Sequence, residues 1–269
     1  MDLSARTHIM GVLNVTPDSF SDGGRFFDPA DAIAHAEEMV ENGADIIDIG
    51  GESTRPGSEF VPLEVELNRV VPVIKAVVAL GASAAISIDT WKSEVAERAL
   101  DLGVHVVNDI SGLMFDTRLA DLAARYEAGL ILSHIKGTPK NMQVNPTYDD
   151  VVSEVRDVLA KAAGAAMSAG VGPQSIVVDP GIGFGKRLEH NLEILKRLGE
   201  LVALGYPVLI GPSRKAFIGK LTDAPVDDRL EGTLAAVTIG VANGASIVRV
   251  HDVKEARRAL ALADAVARA

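Results

Sequence analysis

Cysteine is missing from the 269 residues of the chain, which excludes disulfide scaffolds, thiolate metal sites and cysteine nucleophiles. Excess positive charge is missing as well, because 26 Lys and Arg residues stand against 37 Asp and Glu residues and the net charge is −11. Such a chain repels phosphate polymers, so we expect no nucleic-acid partner. The longest uncharged stretches, residues 162–178 and 232–248, are too short and too often interrupted to cross a membrane.

The first eight residues lack the basic start and the apolar stretch of a secretion signal. Together with the lack of cysteine, this predicts a cytoplasmic protein. The composition that is present is that of an ordinary globular chain, with 48% hydrophobic and 23% charged residues. No low-complexity segment or linker divides the chain, so we predict one domain over residues 1–269.

Short apolar runs rich in β-branched residues alternate with segments of helical periodicity to the end of the chain. Most of the runs lack alternation between apolar and polar residues, as strands buried on both faces do, and they are residues 9–13, 45–49, 85–89, 105–109, 130–134, 175–179, 207–211 and 247–250. The predicted helices are residues 29–42, 63–80, 92–102, 117–127, 149–169, 189–204, 228–242 and 253–268. Glycines predicted to end helices are Gly43, Gly81, Gly103, Gly129 and Gly205.

Eight such units match an α/β fold of the closed (β/α)8 TIM-barrel type, and an open doubly wound sheet is the competing interpretation. The longest connections all follow predicted strands, and they are residues 16–28, 50–62, 136–148 and 212–226. In a barrel they meet at the carboxyl end of the strands, where barrel enzymes carry their catalytic loops. The pattern therefore favours a barrel enzyme.

Polar side chains end almost every predicted strand, and they are Asn14, Asp48, Asp89, Asn108, Asp109, His134, Asp179, Ser213, Lys215, Arg249 and His251. Because buried polar groups need partners, their convergence on one rim predicts a polar ligand. A single residue of this set can instead cap the next helix, and Asp89 before Thr90 is open to both interpretations.

Glycines bound two of the loops. Residues 179–186 (DPGIGFGK) have neither the Walker A spacing nor the dinucleotide spacing, so close approach to a ligand and a tight turn remain equally open. Residues 50–57 (GGESTRPG) are open to an anion site or to a solvated loop. Arg249 and His251 lie two positions apart and therefore on one strand face, which favours oxyanion binding.

Metal binding leaves little trace in the sequence. No cluster of His, Asp and Glu has the spacing of an enclosed zinc site. A Mg²⁺ ion held mainly by substrate phosphates needs only one or two protein oxygens, so magnesium stays open at this point.

Taken in order, the motifs resemble one family. Residues 11–24 (GVLNVTPDSFSDGG) and 50–57 resemble the two signatures of the dihydropteroate synthases, and the resemblance continues through residues 87–90, 107–110, 179–186, 213–215 and 249–253. It implies a (β/α)8 barrel that joins 6-hydroxymethyl-7,8-dihydropterin diphosphate to para-aminobenzoate and releases pyrophosphate in folate biosynthesis. It also implies a homodimer.

The resemblance assigns roles to individual residues. The pterin is expected to meet Asp179 as its deep anchor, with Asp89, Asn108, Lys215, Ile135 and Phe184 around the ring. Asn14 is expected to offer its amide oxygen to Mg²⁺, while Arg249, His251 and Thr54 hold the diphosphate. The para-aminobenzoate pocket is expected to contain Phe20, Thr54, Pro56 and Ser213, with Arg55 supporting the loops. We expect the catalytic residues to be Asn14, Lys215, Arg249 and His251.

The implied chemistry is a dissociative displacement in which cations neutralise the departing diphosphate. The arylamine is unprotonated at neutral pH, so no strong general base is needed, and residues 16–28 and 50–62 are expected to close over the site. Ile135, where many family members have Met, and Pro212 depart from the family pattern without removing a hydrogen-bonding group.

Three alternatives remain open. A pterin-binding methyltransferase that uses methyltetrahydrofolate explains the pterin anchors but not residues 16–24. A silent pterin-binding paralogue predicts the loss of Asn14, Lys215 or Arg249, all of which are present. On its chemistry alone, Lys215 could be the Schiff-base lysine of an aldolase.

Overall fold

Eight parallel strands form the centre of a computed structural model that describes residues 3, 5–16 and 29–267. The strands are β1 (His8–Asn14), β2 (Ile46–Gly50), β3 (Ala85–Asp89), β4 (Val106–Asp109), β5 (Gly129–Ser133), β6 (Ile176–Asp179), β7 (Leu209–Ile210) and β8 (Ile247–Val250). They are hydrogen-bonded in the order β6-β5-β4-β3-β2-β1-β8-β7. A bridge between Val178 and Val208 joins β6 to the segment before β7 and closes the ring. The barrel prediction is therefore confirmed, and the open doubly wound sheet is excluded.

Helices surround the ring in the described part of the chain. They are α1 (Pro29–Glu41), α2 (Leu63–Ala79), α3 (Ser93–Asp101), α4 (Arg118–Arg125), α5 (Val151–Ser168), α6 (Leu188–Lys196), α7 (Gly199–Val202), α8 (Ala216–Thr222), α9 (Leu230–Ala242) and α10 (Val253–Ala267), with a 3-10 turn at Pro173–Ser175. The main apolar core lies between these helices and the outer face of the strands. No helix among the described residues is long and apolar enough to cross a bilayer.

Three local predictions are wrong. The single helix predicted at residues 189–204 is divided into α6 and α7, because Arg197 leaves the helical conformation at φ −105° and ψ 23°. The connection predicted at residues 212–226 contains α8, which buries Phe217 and Ile218. Gly129 does not end a helix but begins β5, and Glu127 at φ 52° takes the left-handed conformation instead. The other predicted helix-ending glycines, Gly43, Gly81, Gly103 and Gly205, all have positive φ.

Strand periodicity places a polar layer above an apolar floor inside the barrel. Alternate strand residues point inward, and one inward layer is the buried cluster Met10, Ile46, Ile131, Val177, Leu209 and Ile247. Two positions further along six of the strands, the inward residues are Asp48, Ser87, Asn108, Ser133, Asp179 and Arg249. The fold therefore gathers polar side chains at the carboxyl end of the strands, as the sequence pattern predicts.

Candidate active site

Arg249 is the centre of the polar layer. Its Nε donates to Asp48 Oδ2 at 2.6 Å, and its Nη2 donates to Asp89 Oδ2 at 2.7 Å. Asn108 Nδ2 donates to the same Asp48 oxygen at 3.0 Å. Four strands thus contribute to one hydrogen-bonded group, which brings the predicted residues Asp89, Asn108 and Arg249 together. Asp48, noted in the sequence only as a polar strand residue, is the group that joins them.

Burial dominates the electrostatics of this group. Desolvation raises the pKa of Asp89 above its usual range, and the charge of Arg249 opposes this while that of Asp48 adds to it. Desolvation pulls the pKa of Arg249 down, but Asp48 and Asp89 hold it above its usual value. Asp48 Oδ1 and Asp89 Oδ1 are buried and have no hydrogen-bond partner among the described residues. Two unsatisfied acceptors in one layer are costly unless a polar ligand reaches them.

Asp179 lies on the opposite wall, at the end of β6. Its Oδ1 accepts from the Gly181 N–H at 2.7 Å, and its Oδ2 accepts from Ser133 Oγ at 3.1 Å. Burial raises the pKa of Asp179, and these two donors act against that shift. The carboxylate is therefore held in one orientation, which is the requirement for an anchor of a planar ligand.

Lys215 faces the same region, because its Nζ lies 4.0 Å from the centroid of the Phe184 ring. Desolvation and the charge of Arg249 lower the pKa of Lys215 to about 8. Phe184 in turn belongs to a small apolar cluster, here called the apolar wall, which consists of Ile110, Ile135, Met142 and Phe184 with Trp91 packed against it. Both residues predicted to cover the ring faces, Ile135 and Phe184, thus lie in one cluster beside Lys215.

The loop of residues 180–187, called the β6 loop, is a tightly packed turn. A Cβ added to Gly181, at φ 65°, would lie 2.0 Å from the carbonyl oxygen of His134, and one added to Gly185, at φ 64°, would lie 2.6 Å from that of Lys136. These glycines let the loop pack against the backbone after β5, so the tight-turn interpretation holds for them.

Lys186 fastens the β6 loop from inside. It is buried, and its Nζ donates to the carbonyl oxygens of Gly181 and Phe184, each at 3.0 Å, and lies 2.9 Å from His134 Nδ1. Desolvation lowers the pKa of Lys186 to about 7, and desolvation together with Lys186 lowers that of His134 to about 2. Sequence reasoning did not give Lys186 a role, although it is the last residue of the glycine-rich motif.

An open cavity of about 430 Å³ lies beside the ends of β1 and β8. Its lining includes Asn14, Arg214, His251 and Asp252 together with residues of α1 and of the first turn of α10. His251 Nδ1 lies 2.9 Å from Ser213 Oγ, and desolvation followed by Arg249 and Arg214 lowers the pKa of His251 to about 3. His251 is therefore a neutral ring at neutral pH. Arg249 points to the aspartates and His251 to Ser213, so the described residues do not give the two a common partner.

Asn14 and Asp89 approach each other across Gly50. A Cβ at Gly50 would lie 3.7 Å from Asn14 Oδ1 and 3.6 Å from Asp89 Oδ2. Amide and carboxylate oxygens are hard donors of the kind that Mg²⁺ takes, so the residues present fit the predicted ion. Among the described residues, no group of three or more His, Asp and Glu side chains is placed to hold a metal. Magnesium at Asn14 stays a prediction.

The second glycine-bounded loop, residues 51–62, is called the β2 loop. Thr54 is half-buried, whereas Arg55 and Pro56 are exposed, and no hydrogen bond or ion pair among the described residues ties these three side chains to the polar layer. Phe20 and nearly all of the predicted closing loop, residues 17–28, lie outside the described residues. The predicted closure is thus untested.

Comparisons with known proteins show the family to which the chain belongs. The family model described as pterin binding enzyme matches residues 10–251. The dihydropteroate synthase of Synechocystis is 48% identical over 266 residues, which are 98% of this chain and 92% of that protein. The Clostridium difficile dihydropteroate synthase, solved in the presence of pteroic acid, has a TM-score of 0.93 and 48% identity and is covered, like this chain, over its full length.

The dihydropteroate synthase of Thermus thermophilus is similar as well. Its complex with 4-aminobenzoate has a TM-score of 0.88 and 46% identity over 99% of this chain and 96% of that chain. Its complex with 6HMPPP has a TM-score of 0.85 and 45% identity over the same shares. On its sequence and its fold, this chain belongs to the pterin-binding enzymes and, among them, to the dihydropteroate synthase family.

Proposed function

We propose that the chain condenses 6-hydroxymethyl-7,8-dihydropterin diphosphate with para-aminobenzoate to give 7,8-dihydropteroate and pyrophosphate, a step of folate biosynthesis. The observation that carries the proposal is the set of polar side chains at the barrel mouth, the buried Asp89, Asn108 and Asp179 with the half-buried Lys215, in a member of the dihydropteroate synthase family. The Clostridium difficile and Thermus thermophilus structures with pteroic acid, 4-aminobenzoate and 6HMPPP support the choice of substrates.

Recognition of the pterin follows from the hydrogen-bonding groups. The carboxylate of Asp179 accepts from the adjacent N–H donors of the amino-pyrimidine edge, while Lys215 donates to the ring carbonyl. Asn108 and the free oxygen of Asp89 meet the remaining ring nitrogens. Ile135 and Phe184 cover the flat faces of the ring. An analogue that lacks one of these partners leaves a buried group unpaired and is therefore rejected.

Bond breaking depends on the charge of the leaving diphosphate. Arg249 and His251 bind this group, and Arg249 Nη1 remains available for it because the hydrogen bonds within the described residues use only Nε and Nη2. Asn14 would hold Mg²⁺ at this end, where the bound ion supplies neutralisation of the phosphate charge. The electron-rich ring delocalises the positive charge left on the carbon, so the C–O bond breaks before the amine adds.

The arylamine then attacks as the neutral amine. The proton that the nitrogen loses after the C–N bond forms passes to the released pyrophosphate or to water. Neither His134 nor His251 has to act as a base, which agrees with the lowered pKa of both rings. Thr54, Pro56 and Ser213 place the amine, with Arg55 supporting the β2 loop. Positioning of this kind supplies about 7–11 kcal/mol in favourable intramolecular cases, so it replaces strong general-base catalysis.

The homodimer and the cytoplasmic location are further parts of the proposal. On α9 the side chain of Ile239 is 50% exposed, and on α10 those of Leu262 and Val266 are each 70% exposed. These helices pack against each other and therefore carry apolar surface that a second copy can cover. The lack of cysteine supports a reducing compartment.

A coupled assay tests the reaction. Purified chain is mixed with both substrates, with and without Mg²⁺, while pyrophosphate and dihydropteroate are followed. We expect equal amounts of the two products, dependence on Mg²⁺, and a loss of turnover in Arg249→Ala. Pterin binding without pyrophosphate release would point to the silent paralogue, and methyl transfer from methyltetrahydrofolate would point to the methyltransferase.

A further inference from the structure

The two ends of the β2 loop are held by one carboxylate. Glu52 is 6% exposed, and its Oε1 accepts from the backbone N–H of Val61 at 2.8 Å. Its other oxygen, Oε2, forms an ion pair with Lys92 Nζ. Because Glu52 and Val61 are the second and the second-to-last residues of the loop, Glu52 closes the loop at its base.

A second buried carboxylate fixes Lys92 from the side of α2. Glu66, which is fully buried, pairs with Lys92 Nζ and accepts from Thr90 Oγ1 at 2.8 Å. Glu66 occupies the buried stripe of α2, where the other members are Val70, Val73, Ile74 and Val77. A charge in such a stripe is costly unless it is paired, so Glu66 and Lys92 form a fixed support under Glu52.

The middle of the loop is held differently. Among the described residues, its hydrogen bonds and ion pairs to other segments are a backbone hydrogen bond from Gly57 to the carbonyl of Pro139 at 3.0 Å and an ion pair between Glu59 and Lys140 at 3.0 Å. The side chains of Glu59 and Lys140 are 76% and 67% exposed. Exposed ion pairs of this kind contribute little to stability. Removing one partner of a buried ion pair, such as that of Glu52 with Lys92, costs much more, because it leaves the other charge buried and unpaired.

Aromatic rings connect this base to the apolar wall. Lys92 Nζ lies 4.6 Å from the ring centroid of Phe60 in the loop and 5.2 Å from that of Trp91. Trp91 packs edge-on against Phe115 at 5.7 Å and contacts the apolar wall. The chain has one tryptophan, so its fluorescence reports on this point alone.

We propose that Glu52 is a positioning residue for the second substrate. By fixing both ends of the β2 loop against Lys92, it sets where Thr54, Arg55 and Pro56 stand, and it does so without touching the substrate. The inference rests on the proposed function, since it is the arylamine that these residues are expected to meet. Disturbing Glu52 therefore changes the apparent affinity for para-aminobenzoate much more than that for the pterin diphosphate, for which Thr54 is the only residue of the β2 loop with an expected role.

The test compares steady-state kinetics of the wild type with Glu52→Ala, Glu52→Gln and Glu66→Gln. We expect Glu52→Ala to raise the KM for para-aminobenzoate about ten-fold while the KM for pterin diphosphate stays within about two-fold. Glu52→Gln should restore part of the loss, because its amide oxygen still accepts from Val61. Glu66→Gln is the matched control, since it disturbs a buried ion pair with the same Lys92 while the Glu66 side chain forms no hydrogen bond or ion pair with a loop residue among the described residues.

A change of both KM values together, or an equal effect of Glu66→Gln, would show that the carboxylates only stabilise the fold and would overturn the proposal. Should Glu52→Ala fail to fold, the comparison of Glu52→Gln with Glu66→Gln decides the same point. Acrylamide quenching of Trp91 gives a readout without substrates. We expect a quenching constant about two-fold higher in Glu52→Ala than in Glu66→Gln, because Lys92, which lies over the rings of Phe60 and Trp91, then loses its ion pair with the loop.

These measurements separate the two proposals. If the wild type releases no pyrophosphate but the quenching differs as expected, the proposed function fails while the role of Glu52 in placing the loop stands. If pyrophosphate is released and neither the KM for para-aminobenzoate nor the quenching distinguishes the variants, the reaction stands and the role of Glu52 fails.

Discussion

The β6 loop and the β2 loop both join a strand to a helix and both contain glycines, yet they are built in opposite ways. In the β6 loop, Ile182, Phe184 and Lys186 are buried, and the backbone packs directly on the segment after β5. In the β2 loop, Arg55 and Pro56 are exposed, and Phe60 is 65% exposed. The β6 loop is therefore packed along its length, whereas the β2 loop is buried only at its ends.

This difference matches the two tasks of the site. The β6 loop holds the Asp179 carboxylate by a backbone N–H and presents Phe184, so the surface proposed for the pterin is formed by contacts within the chain itself. Preformed surfaces bind with little loss of conformational entropy. The β2 loop keeps its predicted substrate residues on a largely exposed segment, so it can adjust to the second substrate.

The largest expected effect comes from adding one methyl group to the β6 loop. In Gly181→Ala the new Cβ would lie 2.0 Å from the carbonyl oxygen of His134, and φ is 65°. The backbone has to move, which withdraws the Gly181 N–H from Asp179. We expect the free energy of unfolding to fall by about 2–4 kcal/mol and pterin binding to be lost, as measured by urea denaturation and calorimetry.

Gly57→Ala is the matched control in the β2 loop. Its φ is 81°, but a Cβ there has nothing within 4 Å, so only the backbone strain of about 1–2 kcal/mol remains. Equal losses of stability and of pterin affinity in Gly181→Ala and Gly57→Ala would mean that the β6 loop is not packed more tightly than the β2 loop.

The next largest effect is expected at Asp179. In Asp179→Ala the pterin loses two charge-assisted hydrogen bonds, each of which contributes about 1.5–3 kcal/mol, so we expect its affinity to fall by a factor of about 10²–10⁴. Asp179→Asn keeps one acceptor oxygen, but its amide NH2 faces an N–H donor of the pterin. We therefore expect its pterin affinity to lie between those of the wild type and Asp179→Ala. Calorimetry with the pterin measures both, and an unchanged affinity of Asp179→Ala would contradict its role as anchor.

Lys215 should give the site an alkaline limit. The pKa of Lys215 is lowered to about 8, so the ammonium that we propose as a donor to the pterin is present below this pH and is lost above it. We therefore expect kcat/KM for the pterin diphosphate to fall as the pH rises through about 8, because this parameter reports groups of the free enzyme.

Lys215→Arg should remove that limit, since a guanidinium stays protonated throughout the range. Lys186 is the contrast, because its pKa is also lowered, to about 7, but its ammonium serves the backbone of the β6 loop. An alkaline fall that persists in Lys215→Arg and disappears in Lys186→Met would assign the limit to Lys186 instead.

The parts of this structure that the sequence predicts are those set by neighbouring residues. Strand periodicity places Asn108, Asp179 and Arg249 on the inner face, and this requires no knowledge of the rest of the chain. The division into α6 and α7 was missed because it depends on Arg197, whose guanidinium donates to Glu200 within α7 and to Asp150 before α5. A contact across the fold decides the local conformation there.

The site contacts that the sequence did not predict are pairs of residues far apart in the chain. Arg249 meets Asp48 across 201 positions, and Glu52 meets Lys92 across 40, so no local pattern connects them. The sequence did contain one signal of such a pair. Glu66 lies four positions before Val70 and therefore on the buried face of α2 that Val70, Val73 and Val77 form, where an apolar residue would be expected. A charged residue at a position that periodicity assigns to the core predicts a buried partner, although not which one.

The smallest effect is expected where the β2 loop is held most loosely. Glu59→Gln removes the exposed ion pair with Lys140, and exposed pairs contribute about 0–1 kcal/mol, so thermal unfolding should not change measurably. The KM for para-aminobenzoate should also stay within about two-fold, because the base of the loop is intact. Lys140→Gln removes the same pair from the other loop and should behave identically. A rise in this KM as large as that expected for Glu52→Ala would mean that the middle of the β2 loop, rather than its buried ends, places the residues that are expected to meet the second substrate.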